Sequence, residues 1–239
     1  MMYITSAAKP SLQDAGVAGL KEISVKTDDG LVLFGWHKAP YPPSKPTIVW
    51  FHGNASNVGI TTWRALPYLK QGYGLLAVEY RGYAGNPGAP TEQGLYKDGR
   101  AFIEWLKAEG VAENNIIVYG ESIGSGPAVQ MAKEYPSLHT LILESPLTST
   151  MDAAAFHYPY IPVKWLIKDR YENIPKIKDI KSPLILIYGD RDRVIPHRLG
   201  EALFKAAPEP KSLIVIEGGD HNNLDDFHVA DKIISLLSE

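Results

Sequence analysis

With 239 residues, 45% of them apolar, the chain is long enough for one α/β domain with a sizeable core. Its net charge of -3, without any basic block, argues against nucleic acid as a partner; the lack of cysteine excludes disulfides, thiolate nucleophiles and cysteine-ligated zinc. Met1 to Pro10 hold no apolar run long enough for a signal peptide or a membrane span, so the expectation is a soluble, cytoplasmic protein.

Residues 1–20 are small and polar and predict no element. Residues 22–26 and 31–37 are β-like runs joined by Thr27-Asp28-Asp29-Gly30, and Asp-Gly between such runs predicts a hairpin. A proline-rich loop over 39–46 follows. Residues 47–51 are apolar as a strand buried on both faces requires, and they run into His52-Gly53-Asn54-Ala55. Helical spacing through Ile60, Trp63, Leu66 and Leu69 predicts a helix over 57–71, and 74–79 the next strand. After the turn-rich Tyr80–Gly88 loop, Thr91 is placed to cap a helix over 92–109.

Residues 116–120 form a further β-branched run, which meets Gly120-Glu121-Ser122-Ile123-Gly124 and then a helical pattern to about 135. Strand, sharp turn and helix with serine at the apex is the layout that exposes a nucleophile. Glycines on both sides let strand and helix approach closely, and the following helix start favours negative charge. Strands at 140–144, 184–188 and 212–216 follow, with helices over 197–206 and 229–237. Apolar strands alternating with amphipathic helices imply a mainly parallel sheet of about eight strands, opening with an antiparallel pair and carrying helices on both faces. Ligands of such sheets bind beyond the carboxyl ends of the strands.

The rhythm stops between 145 and 182. That segment is rich in Phe156, Tyr158, Tyr160 and Trp165. It reads as a small cap inserted in a single domain of residues 1–239, with those four side chains walling an acyl pocket of bounded depth.

A neutral serine needs a base, and the base needs a carboxylate to hold its tautomer. The strand ends supply Ser122, then Asp190 or Asp192, then His221 in a glycine-rich loop after the last strand. Asp225 and Asp226, further on, read as caps of the last helix. An oxyanion donor needs only backbone, and Gly53 lets the loop after residue 51 turn inward. The amides of Asn54 and Ile123 are the candidates.

The chain resembles the α/β-hydrolase superfamily of serine hydrolases over nearly its whole length. The resemblance rests on Phe51-His52-Gly53-Asn54-Ala55, Tyr80-Arg81-Gly82-Tyr83, Gly120-Glu121-Ser122-Ile123-Gly124, Gly189-Asp190-Arg191-Asp192 and Gly219-Asp220-His221. The first two, with the run from Pro90 to Asp98, resemble the branch that holds bacterial and fungal membrane-linked hydrolases and eukaryotic protein depalmitoylases. The resemblance implies the α/β-hydrolase fold, favours Asp192 over Asp190 as the acid, and supports the Asn54 amide. It also implies hydrolysis of carboxylic esters or thioesters through an acyl-enzyme, and the bounded pocket expected from residues 145–182 narrows these to short to medium acyl groups. The partner is then a small-molecule ester or thioester, and no metal or cofactor is called for. Two alternatives stand beside it: a peptidase of prolyl-oligopeptidase-like type, and a non-catalytic binding protein built on the same fold.

Overall fold

β1 (Lys21–Lys26) and β2 (Val32–Lys38) pair antiparallel across the turn at residues 27–30. There the Thr27 amide donates to the Leu31 carbonyl and Gly30 takes φ +89°, a value that favours glycine. The computed structural model describes residues 3–5, 8–158, 160, 162 and 166–238. Among them, β2 also runs antiparallel to β4 (Gly74–Val78). β3 (Thr47–Phe51), β4, β5 (Ile116–Glu121), β6 (Thr140–Glu144), β7 (Leu184–Gly189) and β8 (Lys211–Ile216) are mutually parallel. The eight strands form one sheet in the order β1-β2-β4-β3-β5-β6-β7-β8.

The strand residues divide by parity, as a pleated sheet requires. Val49, Phe51, Val118, Leu141, Leu143 and Leu186 point to one face, where they meet Phe102 and Leu106 of α2 (Glu92–Ala108), Val129 and Met131 of α3 (Ser125–Glu134), and the helix at 197–206 through Leu203. Ile48, Trp50, Ile117, Tyr119, Ile142 and Ile187 point to the other. That face is covered by Ala65 and Tyr68 of α1 (Val58–Lys70) and by Val229 and Ile233 of the last helix. The capping residues act locally: Asn57 Oδ1 accepts from the amides of Gly59 and Ile60, and Thr91 Oγ1 from that of Gly94.

The segment 145–182 divides in two. α4 (Thr150–His157), capped by Ser149, and α5 (Asn173–Ile177) lie in it. Tyr171, Ile177 and Ile180 are core residues, and the Tyr171 hydroxyl bonds that of Tyr3. The aromatic part lies nearer solvent: Phe156 is 41% exposed, Tyr158 56% and Tyr160 98%. Tyr160, expected in the wall of a pocket, stands in solvent in this structure; Trp165 lies outside the described residues. α6 (His197–Ala206) follows β7, and α7 (Val229–Leu236) follows β8.

Candidate active site

Ser122 begins a short 3₁₀ turn, residues 122–124, between β5 and α3, with φ +52°. That left-handed value is costly for a residue with a Cβ and persists only where the surroundings impose it. Here packing imposes it. A Cβ on Gly124 would lie 2.1 Å from the Phe51 carbonyl oxygen, and one on Gly120 2.5 Å from the Cβ of Ala128. The chain can turn so sharply, and α3 can sit so close to β3 and β5, only because neither position carries a side chain.

Three side chains from three strand ends meet there. His221 Nδ1 lies 2.7 Å from Asp192 Oδ2, and His221 Nε2 lies 3.1 Å from Ser122 Oγ. A carboxylate can only accept, so the geometry suits an imidazole with its hydrogen on Nδ1 and Nε2 free to accept from the serine hydroxyl. The other carboxylate oxygen, Asp192 Oδ1, accepts the amides of Val194 and Ile195 at 2.8 and 2.7 Å. Those two bonds fix the carboxylate plane and leave Oδ2 for the ring. Asp190 is placed differently: its Oδ1 accepts the Gly218 amide and does not meet the histidine. Asp220 is held below the usual carboxylate range by the amides of Arg193 and His221 that it accepts. It thereby ties the His221 loop to the loop after β7.

The turn after β3 lies against the elbow, where a methyl group on Gly53 would stand 3.5 Å from Ser122 Cβ. Asn54 turns its side-chain oxygen to the Ile4 amide and the Tyr83 hydroxyl. Behind it, the buried His52 ring meets the Gly53 carbonyl through Nδ1 and Glu79 through Nε2. Burial is the largest influence and opposes charge on this ring, but the bond to Glu79, the charges of Glu79 and Glu121 and the Gly53 carbonyl together outweigh it and raise the pKa. Glu79 also accepts the first amide of α1, from Val58, so one buried pair joins the turn, the end of β4 and a helix start.

His221, Asn54, Ile60 and Trp63, with Arg64 and its carboxylate partners Glu121, Glu144 and Asp225, line a cleft of about 350 Å³, adjacent to Ser122 through Glu121 but without Ser122 in its lining. A separate groove of about 250 Å³ between α1 and α7 shares Trp63, Arg64 and Asp225 with it, but neither Ser122 nor His221 lines that groove. The charged cluster was not foreseen from sequence. Arg64 occupies a helix position that reads as solvated surface, and Asp225 caps no helix: it lies in a 3₁₀ turn, residues 224–227, and bonds Arg64. Phe156 lies under the guanidinium of Arg198, and His157 Nε2 bonds the Val194 carbonyl beside the acid loop. Among the described residues no cluster of three or more histidine or acidic side chains suits a metal ion, and no helix is long and apolar enough to cross a membrane.

The comparisons agree with this architecture. A family model described as "Serine aminopeptidase, S33" matches residues 42–175, from the loop before β3 into α5. An uncharacterized protein of Mycobacterium tuberculosis is 37% identical over 246 residues, covering 100% of this chain and 86% of its own length. The human alpha/beta hydrolase domain-containing protein 17B is 35% identical over 188 residues; the match covers 77% of this chain and 63% of that protein. Among solved structures, a Pyrococcus furiosus esterase superposes with a TM-score of 0.79 at 20% identity, covering 100% of this chain and 97% of its own. An acetyl xylan esterase from Paenibacillus sp. R4 gives 0.77 at 19%, covering 95% and 86%. At such identity the likeness to the two esterases is one of fold.

The family match and the relatives, on this fold, define a hydrolase of α/β type. More particularly, the chain belongs to the α/β-hydrolase superfamily, in the family described as "Serine aminopeptidase, S33".

Proposed function

We propose that the protein is a serine esterase or thioesterase acting on short to medium acyl groups, with Ser122 as nucleophile, His221 as general base and Asp192 as the orienting acid. The observation that carries this reading is the continuous hydrogen-bonded chain from Asp192 Oδ2 through the imidazole to Ser122 Oγ. Ser122 attacks the acyl carbonyl while Nε2 takes its proton. The imidazolium gives that proton to the departing alkoxide or thiolate, leaving an acyl-enzyme. Water, deprotonated by the same nitrogen, then releases the acid and returns the proton to Ser122. The amides of Ile123 and Asn54 receive the oxyanion, and each such donor is typically worth about 10²–10³ in turnover. The 350 Å³ cleft beside His221 is at the small end for a ligand site, which supports a modest substrate.

A fluorophosphonate probe is expected to label wild type stoichiometrically on Ser122 and to leave Ser122→Ala unlabelled, with p-nitrophenyl acetate and butyrate hydrolysed only by the former. Labelling elsewhere, or a Ser122→Ala protein as active as wild type, rules the assignment out. A second reading, cleavage of an amino-terminal residue, is favoured by the family description. It needs an anionic site for the substrate ammonium, and the three carboxylates of the cleft outnumber the one Arg64 cation that they share. Aminoacyl-anilides run beside the esters distinguish the two.

A further inference from the structure

We propose that Arg64 is a positioning residue, a clamp holding the loop that carries His221 against the turn that carries Ser122; this rests on the roles assigned to those two side chains above. The guanidinium is a rigid planar fork with five donors, and here its arms reach three segments of chain. Nη1 bonds Glu121 Oε2 at 2.7 Å. Nη2 bonds both oxygens of Glu144, at 2.8 and 3.0 Å, and Asp225 Oδ1 at 3.1 Å. Nε bonds Asp225 Oδ2 at 2.7 Å. Glu121 immediately precedes Ser122. Asp225 lies four residues beyond His221. Glu144 ends β6, in register with Glu121 across the sheet, and also accepts the Tyr119 hydroxyl.

The fork itself does not move freely. Its side chain is 8% exposed and lies over the Trp50 ring, on a helix whose start is held by Asn57 and Glu79. A buried guanidinium is tolerable only while its partners stay in place, so the arms act as struts. Besides the bond from His221 itself to Ser122 Oγ and the burial of Leu224 in the core, further ties of the His221 loop run the other way. Gly218 to Asp190, Arg191 to the Gly219 carbonyl and Arg193 to Asp220 all join it to the loop after β7, on the acid's side. Those bonds set the distance from His221 to Asp192. The Arg64–Asp225 pair sets the distance from His221 to the serine, because the same cation grips the residue before Ser122.

Arg64→Lys keeps the charge but replaces the fork by one ammonium, which cannot span three carboxylates in this geometry. Misplacing the base by about 1 Å costs on the order of 10²-fold, so we expect kcat per fluorophosphonate-titrated site to fall about 10- to 100-fold, with KM for p-nitrophenyl butyrate within about two-fold of wild type. Amide hydrogen exchange over residues 217–228 should quicken while β5 and β6 stay protected. Asp225→Asn, on a side chain 35% exposed, is the second variant should Arg64→Lys fail to fold; a smaller fall in kcat and the same local exchange are expected. Wild-type kcat per titrated site with unchanged loop exchange in the variant that folds would overturn the clamp, even with a lowered Tm. If the wild-type enzyme neither labels nor hydrolyses, the assignment of Ser122 fails separately; exchange still decides the clamp, and unchanged protection of residues 217–228 rejects it.

Discussion

At Ser122 the backbone is bent into a left-handed conformation by its neighbours and not by its own side chain. Ser122→Ala is therefore expected to remove hydrolysis while leaving Tm within a degree or two, measured by calorimetry alongside the ester assay. The two aspartates after β7 part company at the same scale. Asp192→Asn would present an amide to His221 Nδ1, and an amide that donates there leaves Nε2 with the hydrogen and unable to take the serine proton. Turnover should fall about 10³–10⁴-fold. Asp190→Asn keeps an oxygen that can accept the Gly218 amide and removes only the charge, and less than a ten-fold change is expected. A reversal of that ranking would make Asp190 the orienting acid.

Elements are held in place by a few side chains at their ends. Asn57→Ala frees two amides at the start of α1 and should cost about 1 kcal/mol, seen as a Tm lower by about 2–4 °C for a chain of this size. The β1–β2 turn is tied by Arg81, whose guanidinium bonds Asp29 at 2.8 and 3.1 Å and Asp98 of α2 at 2.8 Å. The hydrogen bond from Arg81, helped by Thr27, holds the Asp29 carboxyl well below the usual carboxylate range. A carboxyl with a depressed folded pKa stabilises the fold fully above its unfolded value near 3.8 and loses that contribution as pH falls below it. Its side chain is 30% exposed, so solvent screening keeps the worth to about 1 kcal/mol. Urea denaturation of wild type and Asp29→Asn should differ by about that much at pH 7 and converge towards pH 2–3. An equal gap at both pH values would mean that the ionised Asp29–Arg81 pair contributes nothing to the difference.

On the scale of the molecule, the question is what the sheet's carboxyl edge admits. The cleft beside His221 is small and partly walled by charge, while Phe156 and Tyr158 lie exposed on the neighbouring segment. Each methylene that finds apolar cover should gain up to about 0.8 kcal/mol, and those beyond it nothing. Across p-nitrophenyl esters from acetate to palmitate, kcat/KM is expected to rise, pass a maximum at short to medium length and fall. A steady rise to palmitate, above all with thioesters, would replace the bounded site by an open one along the aromatic segment.

Much of this protein is local and therefore legible in its residues. The hairpin turn at Asp29-Gly30, the cap Thr91 and the strand periodicity all depend on neighbours a few positions away. The sheet architecture followed, because buried parallel strands and amphipathic helices have few ways to cover one another. The glycines around Ser122 likewise announced a close approach; chain order offered Asp190 or Asp192, then His221, as its partners, and only the resemblance favoured Asp192. What the tertiary structure decided depends on residues far apart in the chain. Arg64 meets Glu144 across 80 positions and Asp225 across 161, and a charged residue on an amphipathic helix is indistinguishable from a solvated one until the opposite surface arrives. Asp225 was read as a helix cap for that reason. The aromatic run from Phe156 was read as a wall, since aromatic content signals burial on average. Where such a run lies depends on whether the fold brings another surface over it; around Tyr171 it does, and at Tyr160 it does not.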